Sequence, residues 1–210
     1  RLRRLALLLV LGHCDAALLT TRHAPLRMAH DETAATASKW FIEPPATFEA
    51  MASQASRSML GALPHHRRLI VETAAPELDP ASESFRPQEL VHFAHDVAEP
   101  LLRRGGLPAS MRQVKLVFSS MSEATLAGAS IQTTDLPVSL LGHPSVIGPR
   151  DGAFVIVAPT TSSAAQPMDK ERDTERALMD LLQVAGSRLV VLINPRLGNA
   201  PLLGPFEPCY

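Results

Sequence analysis

The residues of this 210-residue chain that are placed to do chemistry sit at the ends of short apolar runs. Glu72 and Thr73 follow Leu69-Ile70-Val71, and Ser119 and Ser120 follow the run from Val114 to Phe118. Thr160 and Thr161 come after Ala153 to Ala158, and Asn194, Pro195 and Arg196 after Leu189 to Ile193. If these runs are neighbouring strands of a parallel sheet, the polar residues share one rim, which is where open α/β sheets hold ligands. On that rim Glu72 would be the acid or base, provided burial or a charged neighbour tunes it. Asn194 would orient a ligand by donating hydrogen bonds, and a helix opening behind Ser120 would attract an anion. The competing account of the same residues is ordinary capping and loop solvation.

Other constellations are weaker. No glycine-rich phosphate loop follows any apolar run, and neither G-x-x-x-x-G-K nor G-x-G-x-x-G occurs. A G-x-S-x-G nucleophile elbow is also absent from the sequence. His65-His66 precedes Arg67-Arg68, but adjacent loop side chains rarely chelate together, so this reads as a solvated basic turn. His92, His95 and Asp96 have zinc-compatible spacing, yet the apolar stripe of their helix turns them to solvent, with Glu99 and Arg103 continuing that polar face as an i,i+4 pair. Cys14 and Cys209 are the only cysteines, which is no disulfide framework. No metal, cofactor or catalytic set is indicated.

The elements that must position the rim alternate. A helix is expected from Thr47, its cap, to Leu63, with Phe48, Met51, Ala52, Ala55 and Met59 on one face and Pro64 ending it. After the strand at 69–73, Pro87 opens a helix striped with Leu90, Phe93, Ala94, Val97 and Leu101. Pro100 should kink it near its end, and Gly105-Gly106 stops it. The strand at 114–118 leads to a capping box, Ser120 to Glu123, and a short helix reaching about Ser130. Leu136 to Leu141 is a third strand that Pro137 demotes toward an edge. Asp151-Gly152 is a turn signal before the clearest strand, 153–158. Asp169 caps a last long helix with Leu178, Leu181, Leu182 and Ala185 inward and Gly186 as its stop, before the closing strand 189–193. Proline after Asn194, and again after Ala158, favours extended backbone at both, and the Asn194 side chain can bond nearby backbone. Strands alternating with helices imply a three-layer α/β fold: a mostly parallel, Rossmann-like sheet with helices on both faces and no dinucleotide fingerprint.

Hydrophobic residues at 46% and charged residues at 20% mark a globular chain able to bury a core without staples. A formal net charge of −1 gives no field toward nucleic acid, and aromatics at 4% make base stacking improbable. The amino-terminal stretch reads as an address. Arg1, Arg3 and Arg4 precede an apolar run from Leu5 to Leu11, far short of the roughly 20 residues a membrane span needs. Ala16-Ala17 offers small residues for cleavage, and Leu18 to Ser38 holds Arg22, Arg27 and several Thr and Ala, with acids only at Asp31 and Glu32. Residues 1–38 thus resemble the bipartite presequence of algae with secondary plastids; a plain secretory signal with a linker is the alternative, and a cysteine-poor body favours the plastid.

Four stretches also carry a family resemblance: Pro44-Pro45-Ala46-Thr47-Phe48 with Gln54-Ala55, Arg68-Leu69-Ile70-Val71-Glu72, Asp151 to Pro159, and Val190-Val191-Leu192-Ile193-Asn194-Pro195-Arg196-Leu197. The chain resembles the DUF1995 domain of plastid and cyanobacterial proteins over about Pro44 to Tyr210, within a domain assigned to residues 39–210. Asn-Pro-Arg-Leu after an apolar strand is its most specific element. Phe206 to Tyr210 looks like the start of a further strand, and the resemblance implies a C-terminal strand pair beyond it. It also implies a plastid location, and for some plant relatives an auxiliary role in photosystem II assembly at the thylakoid. Other members carry the domain beside an adenylate kinase domain, whose motif is missing here. It assigns no catalytic residues, although Glu72, Asn194 and Pro195 match its motif positions.

Two functions follow as expectations. One is a non-enzymatic plastid protein that binds a protein partner, without nucleic acid or a transmembrane segment and with peripheral thylakoid association open to it. The other is a small-molecule or anion-binding protein, or enzyme, using Glu72, Ser119, Ser120, Thr160, Asn194, Pro195 and Arg196 at the rim.

Overall fold

The computed structural model describes residues 45–104, 107, 110–131, 133–160, 168–197 and 205–210. The leader at 1–38, Pro44, Gly105-Gly106, Thr161 and the side chain of Asp169 lie outside these. Helix α1 spans Phe48–Ala62, and Thr47 caps it as expected, its hydroxyl accepting from Ala50 N at 3.1 Å. Strand β1, Arg68–Val71, is followed by a 3-10 turn at Pro76–Leu78 and helix α2, Pro87–Arg104. Next come β2 (Gln113–Phe118), α3 (Met121–Ser130), β3 (Val138–Leu140) and β4 (Asp151–Val157). Helix α4 (Met168–Ala185), β5 (Leu189–Ile193) and a two-residue β6 (Glu207–Pro208) complete the order. Helix α4 starts one residue ahead of the expected cap Asp169, and Gly186 follows it at φ +58°, the left-handed stop that glycine supplies.

All six strands are parallel, in the order β3-β2-β4-β5-β1-β6. Right-handed crossovers allocate the layers. The connections through α2 and α3 run toward the β3 edge and lie on one face; the α4 connection runs the other way and lies on the opposite face. Ala52, Ala55 and Met59 of α1, the whole stripe of α2 and Ala127 of α3 therefore share one core with Leu69, Val71, Leu116, Phe118, Val155, Val157, Val191 and Ile193. The alternate residues Ile70, Val117, Phe154, Ile156, Val190 and Leu192 pack against Leu178, Leu181 and Ala185 of α4. Ser56 joins α1 to α2, its hydroxyl donating to Ala52 O at 2.8 Å and lying 3.2 Å from Asp96 O. The strand with Pro137 ahead of it is the sheet edge. Among the described residues no helix is long and apolar enough to cross a membrane.

One sequence expectation is overturned. Asp151-Gly152 is not a turn; both residues lie in β4 and are buried. Pairing steps from Gln113↔Asp151 to Val114↔Ala153, so Gly152 is an extra residue on one strand, a bulge. A Cβ at Gly152 would sit 2.1 Å from Met111 O, so only glycine fits. The extra residue brings Asp151 to the side of Lys115, whose Nζ is 2.7 Å from Asp151 Oδ2, with both side chains almost fully buried. Gly148 N donates to the same carboxylate, fixing the loop that leads into β4.

Gly152→Ala should destabilise the protein by about 3 kcal/mol, the upper range for overpacking a closed site. Urea denaturation checks this; a loss well under 1 kcal/mol would show that the bulge can relax.

Candidate functional site

The carboxyl ends of β1, β2, β4 and β5 do form one rim, and its geometry begins with the backbone. Asn194 and Ala158 both have left-handed φ, +45° and +42°. This corrects the extended conformation expected before Pro195 and Pro159. Left-handed backbone disfavours non-glycine residues, although asparagine tolerates it better than alanine. Pairing beyond the strands holds both residues there. Ala158 N donates to Ile193 O at 2.8 Å, Asn194 N donates to Val71 O at 2.8 Å, and Arg196 N donates to Pro159 O at 2.9 Å. Thr160 and Arg196 then meet in an isolated parallel bridge. Neighbouring strands thus change direction at the same level and stay in step.

Several polar side chains of the rim bond to the chain itself, whereas Glu72 and Arg196 face outward. Asn194 is 1% exposed. Its Oδ1 accepts from Thr73 N at 2.8 Å, and its Nδ2 donates to Thr73 Oγ1 at 3.0 Å and to Leu78 O at 3.2 Å. Both amide protons are spent, so the crevice between β1 and β5 is closed by a clamp rather than open to a ligand. Ser119 Oγ and Thr160 Oγ1 each donate to Ala158 O at 3.0 Å. Pro195 is buried, whereas Arg196 is exposed and its Nη2 donates to Asp79 Oδ2 at 3.1 Å. Glu72 is exposed, and its backbone N donates to Tyr210 O at 2.7 Å. It borders an open depression of about 440 Å³ lined by Pro45, Met51, Thr73, Ala74, Ala75 and Tyr210. Glu72 and Asn194 follow paired strands, but Asn194 has no donor left for a shared ligand.

The capping box at Ser120 is the third correction. Ser120 is the N-cap residue of α3, yet its side chain makes no capping bond and instead lies 2.7 Å from Ser122 Oγ. Glu123 turns into the core, 7% exposed, and its Oε2 has no hydrogen-bond partner. Desolvation pushes the Glu123 carboxyl up to about 7. Sequence reasoning took Glu123 for a surface cap; its i,i+4 spacing to Ala127 on the buried face was the available signal. His92 is exposed, whereas His95 and Asp96 are half-buried, with His95 Nδ1 3.0 Å from Asp96 Oδ1. Glu99 and Arg103 form their i,i+4 pair. Burial pushes the Cys209 thiol up to about 11, which leaves it a poor nucleophile at neutral pH.

A family model, described as a domain of unknown function (DUF1995), matches residues 45–205. The chain belongs to that family. No curated protein and no solved structure matches it. The DUF1995 match takes in the whole clamped rim, from Glu72 through Asn194 to Arg196, the buried Glu123 and the Gly152 bulge. Nearly all of the described structure is therefore the DUF1995 domain itself.

Two outcomes follow. Asn194→Ala removes the side-chain hydrogen bonds to Thr73 and Leu78 and puts alanine in left-handed backbone, so urea denaturation should show a loss of about 2–4 kcal/mol; Asn194→Gly, which keeps the backbone free, should lose less. Glu123 has a folded pKa of about 7 against a usual 4.5. Folding therefore favours its protonated form, and the stability this lends is complete below about pH 4.5 and lost as pH rises through about 7. Glu123→Gln should raise the melting temperature above wild type at pH 8 and much less at pH 5. Equal shifts at both pH values would disprove the assignment.

Proposed function

We propose that the chain is a non-enzymatic plastid protein that binds a protein partner at the carboxyl rim of its sheet, as an auxiliary factor in assembling or maintaining a photosynthetic complex. The observation that carries this reading is the inward commitment of the rim. Asn194, Thr73, Ser119 and Thr160 spend their hydrogen bonds on the chain's own backbone and side chains. What faces outward is shape: the open depression beside β1, mostly apolar, with the Glu72 carboxylate at its margin. Such a surface suits a partner side chain better than turnover of a substrate, which would require free, convergent groups. The basic, acid-poor composition of residues 1–38 supports delivery to the plastid, and membership of DUF1995 supports a photosynthetic setting.

The test is cross-linking capture from plastid extract with the full chain, comparing wild type with Glu72→Arg and Ala74→Arg. Both positions are exposed, so their melting temperatures should match wild type. A specific plastid polypeptide should be captured at least about fivefold less by each variant, as expected for an interface residue worth about 1 kcal/mol. Unchanged capture, or none above background, defeats the reading. A nucleotide, pigment or metal that raises the melting temperature of wild type but not of the variants would instead establish the small-molecule alternative.

A further inference from the structure

At the opposite end of the sheet from the rim, the amino-terminal ends of β1 and β5 lie side by side, with Arg68 in register with Val190. The link entering β1 reads His65-His66-Arg67-Arg68 and the turn entering β5 ends in Arg188. His65, His66 and Arg67 are exposed. Arg68 is half-buried, and its guanidinium donates to Gly186 O and Arg188 O at the carboxyl end of α4. It therefore fixes the corner through neutral carbonyls. Arg188 Nη1 is buried and has no hydrogen-bond partner. Among the described residues no carboxylate forms an ion pair with Arg67, Arg68 or Arg188.

A buried guanidinium nitrogen without an acceptor is costly, and native proteins normally supply one from protein, water or a bound ion. Three arginines enter two adjacent strand ends, with Glu207 on β6 beside β1 and no ion pair to any of the three among the described residues, and they give a local positive field on a chain whose formal net charge is −1. Guanidinium forks match the oxygen geometry of a phosphate group better than they match a single halide. We propose that this corner is a phosphate-binding site, in which Arg188 and Arg67 contact the oxyanion and Arg68 is the positioning residue that holds the β5 turn in place. Free phosphate and a phospholipid headgroup present the same oxygens, and the measurement below separates them.

Inorganic pyrophosphate and sodium chloride at equal ionic strength are compared by thermal shift on the full chain. Pyrophosphate should raise the melting temperature and chloride should not. Arg67→Gln, at an exposed position with no structural contact to lose, should weaken the response about tenfold in apparent affinity, and Arg188→Gln should weaken it further. Arg103→Gln, which removes a cation already paired with Glu99, should leave it intact. In a second arm, the same proteins are sedimented with phosphatidylcholine vesicles, with and without phosphatidic acid. Retention on the anionic vesicles that falls with Arg67→Gln assigns the site to a lipid headgroup; a pyrophosphate response without such retention assigns it to a free phosphate ligand. Equal responses to pyrophosphate and chloride, equal responses of wild type and Arg67→Gln, or a stronger response to an acidic peptide than to pyrophosphate would each overturn the proposal.

Discussion

Two parallel strands cannot be joined by a tight turn; the chain must cross back over the sheet, and it does so with one hand. That constraint arranges most of what this molecule presents. It sends α2 and α3 to one face with α1 packed beside them, and α4 to the other. It also makes the connections leaving β2 and β4, which are neighbours, depart in opposite directions, and such departures open a crevice at the carboxyl ends of the strands. At β5 and β1 the connections instead head toward each other, and the space between those strand ends is filled by the chain's own amide, Asn194, bonded to Thr73 and Leu78.

Much of this was legible in the residues. The runs Leu69 to Val71, Val114 to Phe118, Ala153 to Val157 and Leu189 to Ile193 are apolar at every position but Lys115 because both faces of each strand are covered, and the structure buries all of them. Helical stripes such as Leu90, Phe93, Ala94, Val97 and Leu101 point inward for the same reason of periodicity. The rim was visible as polar residues closing those runs, and the edge position of β3 followed from Pro137.

What escaped sequence reading depended on distant partners. Proline's local preference puts its predecessor in extended backbone, but hydrogen bonds from Ala158 and Asn194 to neighbouring strands override it. A serine followed three residues later by glutamate looks like a cap until the packing of α3 beside α2, β2 and β3 puts that residue on the buried side. Asp-Gly signals a turn only when nothing on the adjacent strand needs the glycine's missing side chain, and here Met111 O occupies that space. In each case the local rule was sound and a contact far away in sequence outweighed it.

The bulge at Gly152 has a consequence for assembly of the sheet. Runs of valine, isoleucine and leucine are nearly interchangeable, so apolar contacts alone would let β2 and β4 slide past each other by a residue. Lys115 and Asp151 do not permit it. A one-residue slip would rotate the ammonium into the layer beneath α2 and strand each charge in hydrocarbon. The extra residue and the ion pair thus work as a key and its notch, admitting a single alignment between two otherwise featureless strands.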